Sequence, residues 1–124
     1  MTPAEVAEFA MGLPEATEGE PGPGMTLFKV SGKIFAILTE AGDSRPEQVT
    51  LKSDPESALH LREQYPSVRP SFYARLRHWN TVVLDGTVPS DELADMIEYS
   101  WERVVAGLPR ATRERLQRLL QNRP

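Results

Sequence analysis

The sequence of 124 residues has no cysteine, two histidines and three lysines. Without cysteine there can be no disulfide, thiolate metal site, iron–sulfur cluster or cysteine nucleophile. Two histidines are too few for a histidine-rich metal site. No apolar run approaches the ~20 residues that a membrane-spanning helix needs, and the first residues lack the basic and apolar regions of a secretory signal. These absences predict a cytoplasmic protein without a metal or cofactor.

The sequence patterns of common catalytic and nucleotide-binding sites are also missing. No serine lies in a G-x-S-x-G elbow, and there is no G-x-x-x-x-G-K-[ST] loop. His60 and His78 are eighteen residues apart and form no ligand pair at helical spacing. The sequence therefore leaves open whether the chain is an enzyme and favours the interpretation that it is not. A pocket that brings His78 and Tyr73 to a carboxylate would support the opposite interpretation.

Basic residues are present but are unevenly distributed. The formal net charge is −4, which argues against wholesale affinity for nucleic acid. Eleven of the fourteen basic residues are arginine, and they concentrate in residues 60–78 and after residue 102. Arginine binds phosphate or carboxylate in a forked geometry. Arginine-rich helix faces can also be simply solvated, so both interpretations are open.

Periodicity and turn residues predict a regular alternation of elements. Thr2-Pro3 and Asp54-Pro55 are helix starts, and Ser90 is expected to cap a long helix that ends near Leu108. Residues 14–24 are rich in Glu, Gly and Pro and are predicted to form a loop. The predicted strands are Met25–Val30, Lys33–Thr39, Glu47–Lys52, Trp79–Leu84 and, less regularly, Ser71–Leu76. Residues 110–124 are expected to be a helical extension.

This order predicts one α+β domain over residues 1–124. Strands joined by short turns favour a mainly antiparallel sheet, and helices packed on one face of it give a two-layer sandwich. No internal repeat or second domain is indicated.

The segment Arg75–Gly86 is the most distinctive stretch of the chain. Trp79 could stack on a base or be a core residue, and Asn80 could read a base edge or hold a turn. Arg75 and Arg77 alternate, so on a strand they would share a face and could contact phosphates. The structural alternative is that Trp79 packs beneath the long helix while His78 and Asn80 fix the preceding loop.

Two function classes follow from these residues. The first is a DNA-binding or regulatory module that uses an arginine-rich surface. Its candidate nucleic-acid-binding residues are Arg62, Arg69, Tyr73, Arg75, Arg77, His78, Trp79 and Asn80. The second is a module that binds a protein or small ligand, with no nucleic-acid role and no catalysis. A contiguous basic face would favour the first class, and dispersed Arg–Glu pairs would favour the second.

Several motifs occur in an order that resembles the MmcQ/YjbR family. They are Leu13-Pro14-Glu15-Ala16-Thr17-Glu18, Phe28-Lys29-Val30-Ser31-Gly32-Lys33-Ile34-Phe35-Ala36, Leu51-Lys52-Ser53-Asp54-Pro55, His78-Trp79-Asn80-Thr81-Val82 and Leu84-Asp85-Gly86. The resemblance extends from the first helix to about Leu108. It implies a fold similar to CyaY and frataxin, an antiparallel sheet flanked by helices, and a possible DNA-binding role.

The chain departs from the family pattern just before His78. A family-like run there contains Gly, His and Lys, where this sequence has Ser71, Tyr73 and Leu76. Similarity of fold to frataxin does not transfer iron binding, because function depends on the residues of a site. The resemblance therefore implies the fold more firmly than it implies a function.

Overall fold

A computed structural model describes residues 1–71 and 78–123. Within those ranges the chain forms six strands and four helices. The helices are α1 (Pro3–Met11), α2 (Pro55–Gln64), α3 (Ser90–Ala106) and α4 (Arg110–Gln121), and the strands are β1 (Ala16–Gly22), β2 (Met25–Val30), β3 (Lys33–Thr39), β4 (Gln48–Lys52), β5 (Val68–Pro70) and β6 (Trp79–Val83). The predicted α+β class and antiparallel sheet are confirmed.

The strands form one antiparallel sheet in the order β1-β2-β3-β4-β6-β5. The β2–β3 hairpin turns at Ser31-Gly32, where both residues have positive φ (51° and 77°). Glycine adopts this conformation without the steric cost that a Cβ imposes. The hairpin was predicted with the same strand limits.

Residues 14–24 are not the predicted loop. Ala16–Gly22 instead forms edge strand β1, which pairs with β2. Most of its side chains are exposed, so the alternation that identifies a half-buried strand is missing. The backbone of β2 supplies the pairing, and edge strands tolerate proline and charge. Composition alone therefore gave the wrong prediction.

Two further predictions also differ from the structure. Pro89, not Ser90, is the N-cap residue of α3, and no side chain caps that helix. Most of the predicted strand Ser71–Leu76 lies outside the described residues, and the edge strand observed near it is β5, which ends at Pro70.

Helix α3 packs across strands β3 and β4 and supplies much of the core. Trp101 is fully buried, and its indole N–H donates to the carbonyl of Pro14 at 3.2 Å. Ser100 lies where β3 and β4 cease to pair. Its hydroxyl donates to Phe35 O at 2.5 Å and accepts from the Lys52 N–H at 2.8 Å. The Ser100 side chain thus gives a hydrogen-bond partner to one backbone group of β3 and one of β4, and it positions α3 over the sheet.

Candidate functional site

Asn80 is buried in β6 and fixes helix α2 to the sheet. It is 3% exposed. Its Oδ1 accepts from Nε of Arg62 at 2.7 Å, and its Nδ2 donates to the carbonyl of Ala58 at 3.2 Å. These bonds occupy the amide groups that base-edge recognition would need. The geometry assigns Asn80 a structural contact, which sequence reasoning had kept as an alternative.

Trp79 is 9% exposed and lies directly across the β4–β6 ladder from Lys52. Side chains alternate between the faces of a strand, so Trp79 points away from the face that Asn80 uses to reach α2. Its indole lines a pocket with Val104 and Gly107 of the α3 end. Little of the ring is free to act as a stacking platform.

The remaining candidate residues do not form one described surface. Arg62 is half-buried and approaches β6 from the helix side through its bond to Asn80. Arg69 is exposed and pairs with Thr81, so it lies on the opposite face of the sheet. His78 is exposed. The other three candidates, Tyr73, Arg75 and Arg77, lie outside the described residues.

Most of the ion pairs of the described arginines are with glutamates on distant segments. Arg115 pairs with Glu15, and Arg123 pairs with Glu98 at 2.6 Å. A third pair, at 2.9 Å, joins Arg110 to Glu114 within α4. Among the described arginines, these three form ion pairs with glutamate, at separate places on the protein.

A cleft of about 420 Å³ opens between α2, α3 and the sheet. Its walls are mainly apolar and come from all three elements. The apolar lining residues are Leu51, Leu61, Val68, Val82 and Met96, and the polar ones are Lys52, Ser53, Ser57, His60, Asn80 and Tyr99. A concave apolar space with a few convergent polar groups is the usual form of a small-ligand site.

Ser53 has a buried hydroxyl without a partner. The residue is 5% exposed, and its Oγ makes no hydrogen bond within the described part of the chain. Its own backbone is held in place, since the N–H donates to the carbonyl of His78 at 2.8 Å. An unpaired buried hydroxyl costs about 1–3 kcal/mol. Such a group at the wall of a cleft calls for an explanation.

The mouth of the cleft is held by a hydrogen-bonded pair. Asp54, the N-cap of α2, accepts from the Ser57 N–H at 3.1 Å and from the Tyr99 hydroxyl at 2.6 Å. Bonds from Ser57 and then Tyr99 hold the pKa of Asp54 well below its ordinary value. The same bond to Asp54 raises the pKa of Tyr99. Helices α2 and α3 are therefore tied together at this end.

Sequence reasoning did not select the cleft. Ser53, Leu61, Met96 and Tyr99 are far apart in the chain, and only folding brings them together. The one local indication was the motif that contains Ser53-Asp54-Pro55, which marks both a family-like segment and a helix start.

The described residues lack two features, a metal-binding group of side chains and a membrane-spanning helix. No three His, Asp or Glu side chains are grouped so that they could hold a metal ion there. Nor does that part of the chain contain a helix long and apolar enough to cross a membrane.

The fold and cleft define a class of small α+β proteins with an open antiparallel sheet, and comparisons identify the family. The YjbR family model matches residues 11–103. The chain is 35% identical over 120 residues to a protein of Escherichia coli K12 named "Uncharacterized protein YjbR", covering 96% of this chain and all of that protein. The chain belongs to the YjbR family. The matched range includes every residue that lines the cleft.

Solved structures agree with this assignment. The crystal structure of Deinococcus radiodurans protein DR2400, with family-model domain DUF419, is similar with a TM-score of 0.81 and 31% identity, covering 94% of this chain and 91% of that one. A crystal structure of a protein from Pseudomonas syringae has a TM-score of 0.69 and 26% identity, covering 81% and 96% of the two chains. The further likeness to frataxin stays a prediction.

Proposed function

We propose that this protein binds a small, largely apolar molecule in the cleft between α2 and α3, and that it does so without catalysis. The observation that carries the proposal is the unpaired hydroxyl of Ser53, a residue that lines this mainly apolar space. We infer that ligand binding turns the Ser53 hydroxyl, which the surrounding atoms shield from water in this conformation, towards the cleft, where a polar group of the ligand becomes its partner.

Desolvation of the cleft walls explains why a ligand would be bound there. The Ser53 hydroxyl is already removed from water, so a hydrogen bond to a ligand regains the interaction that folding gave up. The apolar walls add roughly 25 cal/mol for each Å² of apolar surface that binding removes from water. A ligand of one or two rings would therefore gain both contacts at once.

The contacts of Ser53 support binding over nucleophilic catalysis. A catalytic serine needs a base within hydrogen-bond reach. No described side chain bonds to the Ser53 Oγ, although His60 lines the same cleft. The nearest carboxylate in sequence, Asp54, is occupied by Ser57 and Tyr99.

The test uses naphthol as a neutral probe and follows backbone amide chemical shifts. We expect saturable shifts at Ser53, Leu61 and Met96. Leu61→Trp should fill the cleft and abolish them, because Leu61 is one of its walls. Leu59→Trp on the same helix is the matched control, since Leu59 is 56% exposed and does not line the cleft.

Two results would overturn the proposal. One is the absence of saturable shifts at these three residues at the solubility limit of naphthol. The other is equal binding by the Leu61→Trp and Leu59→Trp proteins when both are shown to be folded by their amide spectra.

Nucleic-acid binding is the second candidate. It is favoured by Arg69 and His78, which are exposed at the two ends of the segment that contains Arg75 and Arg77. Binding through phosphates releases counterions and weakens steeply with salt. A salt titration with duplex and single-stranded DNA should then show a slope that Arg75→Ala and Arg77→Ala each reduce. No binding at low salt would remove this candidate.

We also propose that residues 1–124 act as one domain and that the protein works in the cytoplasm. The support for the first is the continuous sheet that joins β1 to β5. The support for the second is the absence of cysteine from the sequence.

A further inference from the structure

All three lysines of the chain line a single pocket. The pocket has a volume of about 510 Å³ and shares Lys52 with the cleft between α2 and α3. Its lining residues are Lys29, Gly32, Lys33, Ile34, Lys52, Trp79, Val104 and Gly107. Three lysines among eight lining residues, with none elsewhere in the sequence, is a strong concentration of one residue type.

The fold explains how separate segments meet here. Lys29 and Lys33 lie on the two strands of the β2–β3 hairpin, on either side of the turn at Gly32. Lys52 is the last residue of β4 and pairs with Trp79 at the start of β6. The end of α3 closes the pocket through Val104 and Gly107. The site is therefore formed by the ends of four strands and one helix.

The positive charges in this pocket are not neutralised by the described part of the protein. No carboxylate is among the described lining residues, and no Asp or Glu described in the structure lies within 4.0 Å of a lysine ammonium group. The C-terminal end of a helix attracts cations. The last turn of α3 already has Arg103 to interact with the helix dipole, so this interaction does not explain three more lysines nearby.

We propose that this pocket binds a small organic phosphate that carries a flat apolar group. Lysine ammonium groups bind phosphate as point charges and donate hydrogen bonds to its oxygens. Three such groups match the charge of a phosphate or diphosphate. The flat group would lie mainly on the half-buried Ile34, beside the small accessible parts of Trp79 and Val104.

The lysine pocket and the cleft between α2 and α3 share no apolar lining residue. Lys52 is the one residue that lines both. Naphthol, which is neutral at pH 7, tests the cleft, and a phosphate compound tests this pocket. Each proposal can therefore fail without the other, because each is tested with its own probe.

The experiment compares adenosine diphosphate, adenosine and inorganic phosphate by amide and indole chemical shifts at low salt. Adenosine diphosphate should shift Gly32, Gly107 and the indole N–H of Trp79 saturably. Adenosine should bind at least about tenfold more weakly, because it lacks the charge-assisted hydrogen bonds. Inorganic phosphate should shift Gly32 but have less effect on the indole.

Variants at one exposed lysine sharpen the test. Lys33→Ala should weaken adenosine diphosphate binding by about tenfold, and Lys33→Arg should retain most of it. The matched control is Arg118→Ala, which removes an exposed cation from α4 and should leave binding unchanged.

Three results would overturn the proposal: no saturable shift at the pocket, equal binding of adenosine and its diphosphate, or equal losses in Lys33→Ala and Arg118→Ala. A thymidine oligonucleotide serves as a competitor. If it displaces adenosine diphosphate, the phosphate source is a nucleic-acid strand. If it does not, the source is a free nucleotide or a similar small molecule. Displacement would therefore overturn the assignment of a small organic phosphate, and the absence of displacement would support it.

Discussion

Helices α1 and α2 are nearly equal in length, at nine and ten residues, but they are held to the protein by different forces. Both begin with a polar N-cap followed by proline. Helix α1 contacts α3 and the sheet through the fully buried residues Val6 and Ala10. Helix α2 has one buried residue, Ala58, and a half-buried Leu61 packed against the core, and its other attachments are hydrogen bonds.

The hydrogen bonds of α2 come from two directions. Asn80 of the sheet bonds to Arg62 and to the Ala58 carbonyl, and Tyr99 of α3 bonds to Asp54. Polar side chains can hold a helix at a distance, whereas apolar packing requires close contact throughout. We infer that the hydrogen bonds hold α2 away from the sheet and so leave a mainly apolar cleft beneath the helix.

The largest expected effect is at Asn80. Asn80→Ala removes both bonds to α2 and leaves the Ala58 carbonyl buried without its side-chain donor, which should lower the free energy of unfolding by about 3 kcal/mol. Denaturant unfolding measures this, and amide hydrogen exchange should show faster exchange in α2 than in α1. An equal increase of the amide exchange rates in α1 and α2 would contradict the proposed difference in how the two helices are held.

A smaller effect is expected on the α1 side. Val6→Ala deletes two methyl groups from a fully buried position and should lower the free energy of unfolding by about 2 kcal/mol. Naphthol affinity should stay within about twofold of the original protein, because Val6 does not line the cleft. A loss of naphthol binding as large as that caused by Leu61→Trp would contradict the separation of the two sides.

Ser53→Ala should change stability in the opposite direction. Removing a buried hydroxyl that has no partner should raise the free energy of unfolding, by up to about 1 kcal/mol. Ser57→Ala is the matched control on the same cleft, and no gain is expected there. A clear loss of stability in Ser53→Ala would show that the hydroxyl has a partner in solution.

The smallest expected effect is the pH dependence of the α2 attachment. The folded-state pKa of Asp54 is lowered, so its contribution to stability is complete above its unfolded pKa of about 4 and is lost as the pH falls below that value. Asp54→Asn keeps a capping side chain but removes the charge. The difference in Tm between the two proteins should be largest at neutral pH and narrow in acid; a constant difference would contradict this origin.

Local chemistry explains which parts of the fold could be predicted. Thr2-Pro3 and Asp54-Pro55 start helices, and Ser31-Gly32 makes a tight turn, because a few adjacent residues determine each of these structures. Strand β1 was missed because its pairing depends on β2 and not on its own composition. Ser90 was assigned as a cap by type, but Pro89 holds that position.

The candidate site was less predictable for the same reason. Asn80 and Trp79 were predicted from the sequence either to contact a base or to have a structural role, and the fold shows that both are buried. The cleft depends on the spacing between α2 and α3, and the lysine pocket depends on four strand ends. Neither arrangement has a pattern in the linear sequence.

The central claim is that the Ser53 hydroxyl anchors a polar group of an apolar ligand. Naphthol and methylnaphthalene differ by a hydroxyl for a methyl, so their relative affinity depends on that contact. Because a methyl group is also more hydrophobic than a hydroxyl, the contact is measured by the difference between proteins: the ratio of naphthol to methylnaphthalene affinity should be about fivefold higher in the original protein than in Ser53→Ala. The same preference in both proteins, measured by shifts at Leu61 and Met96, would contradict the account.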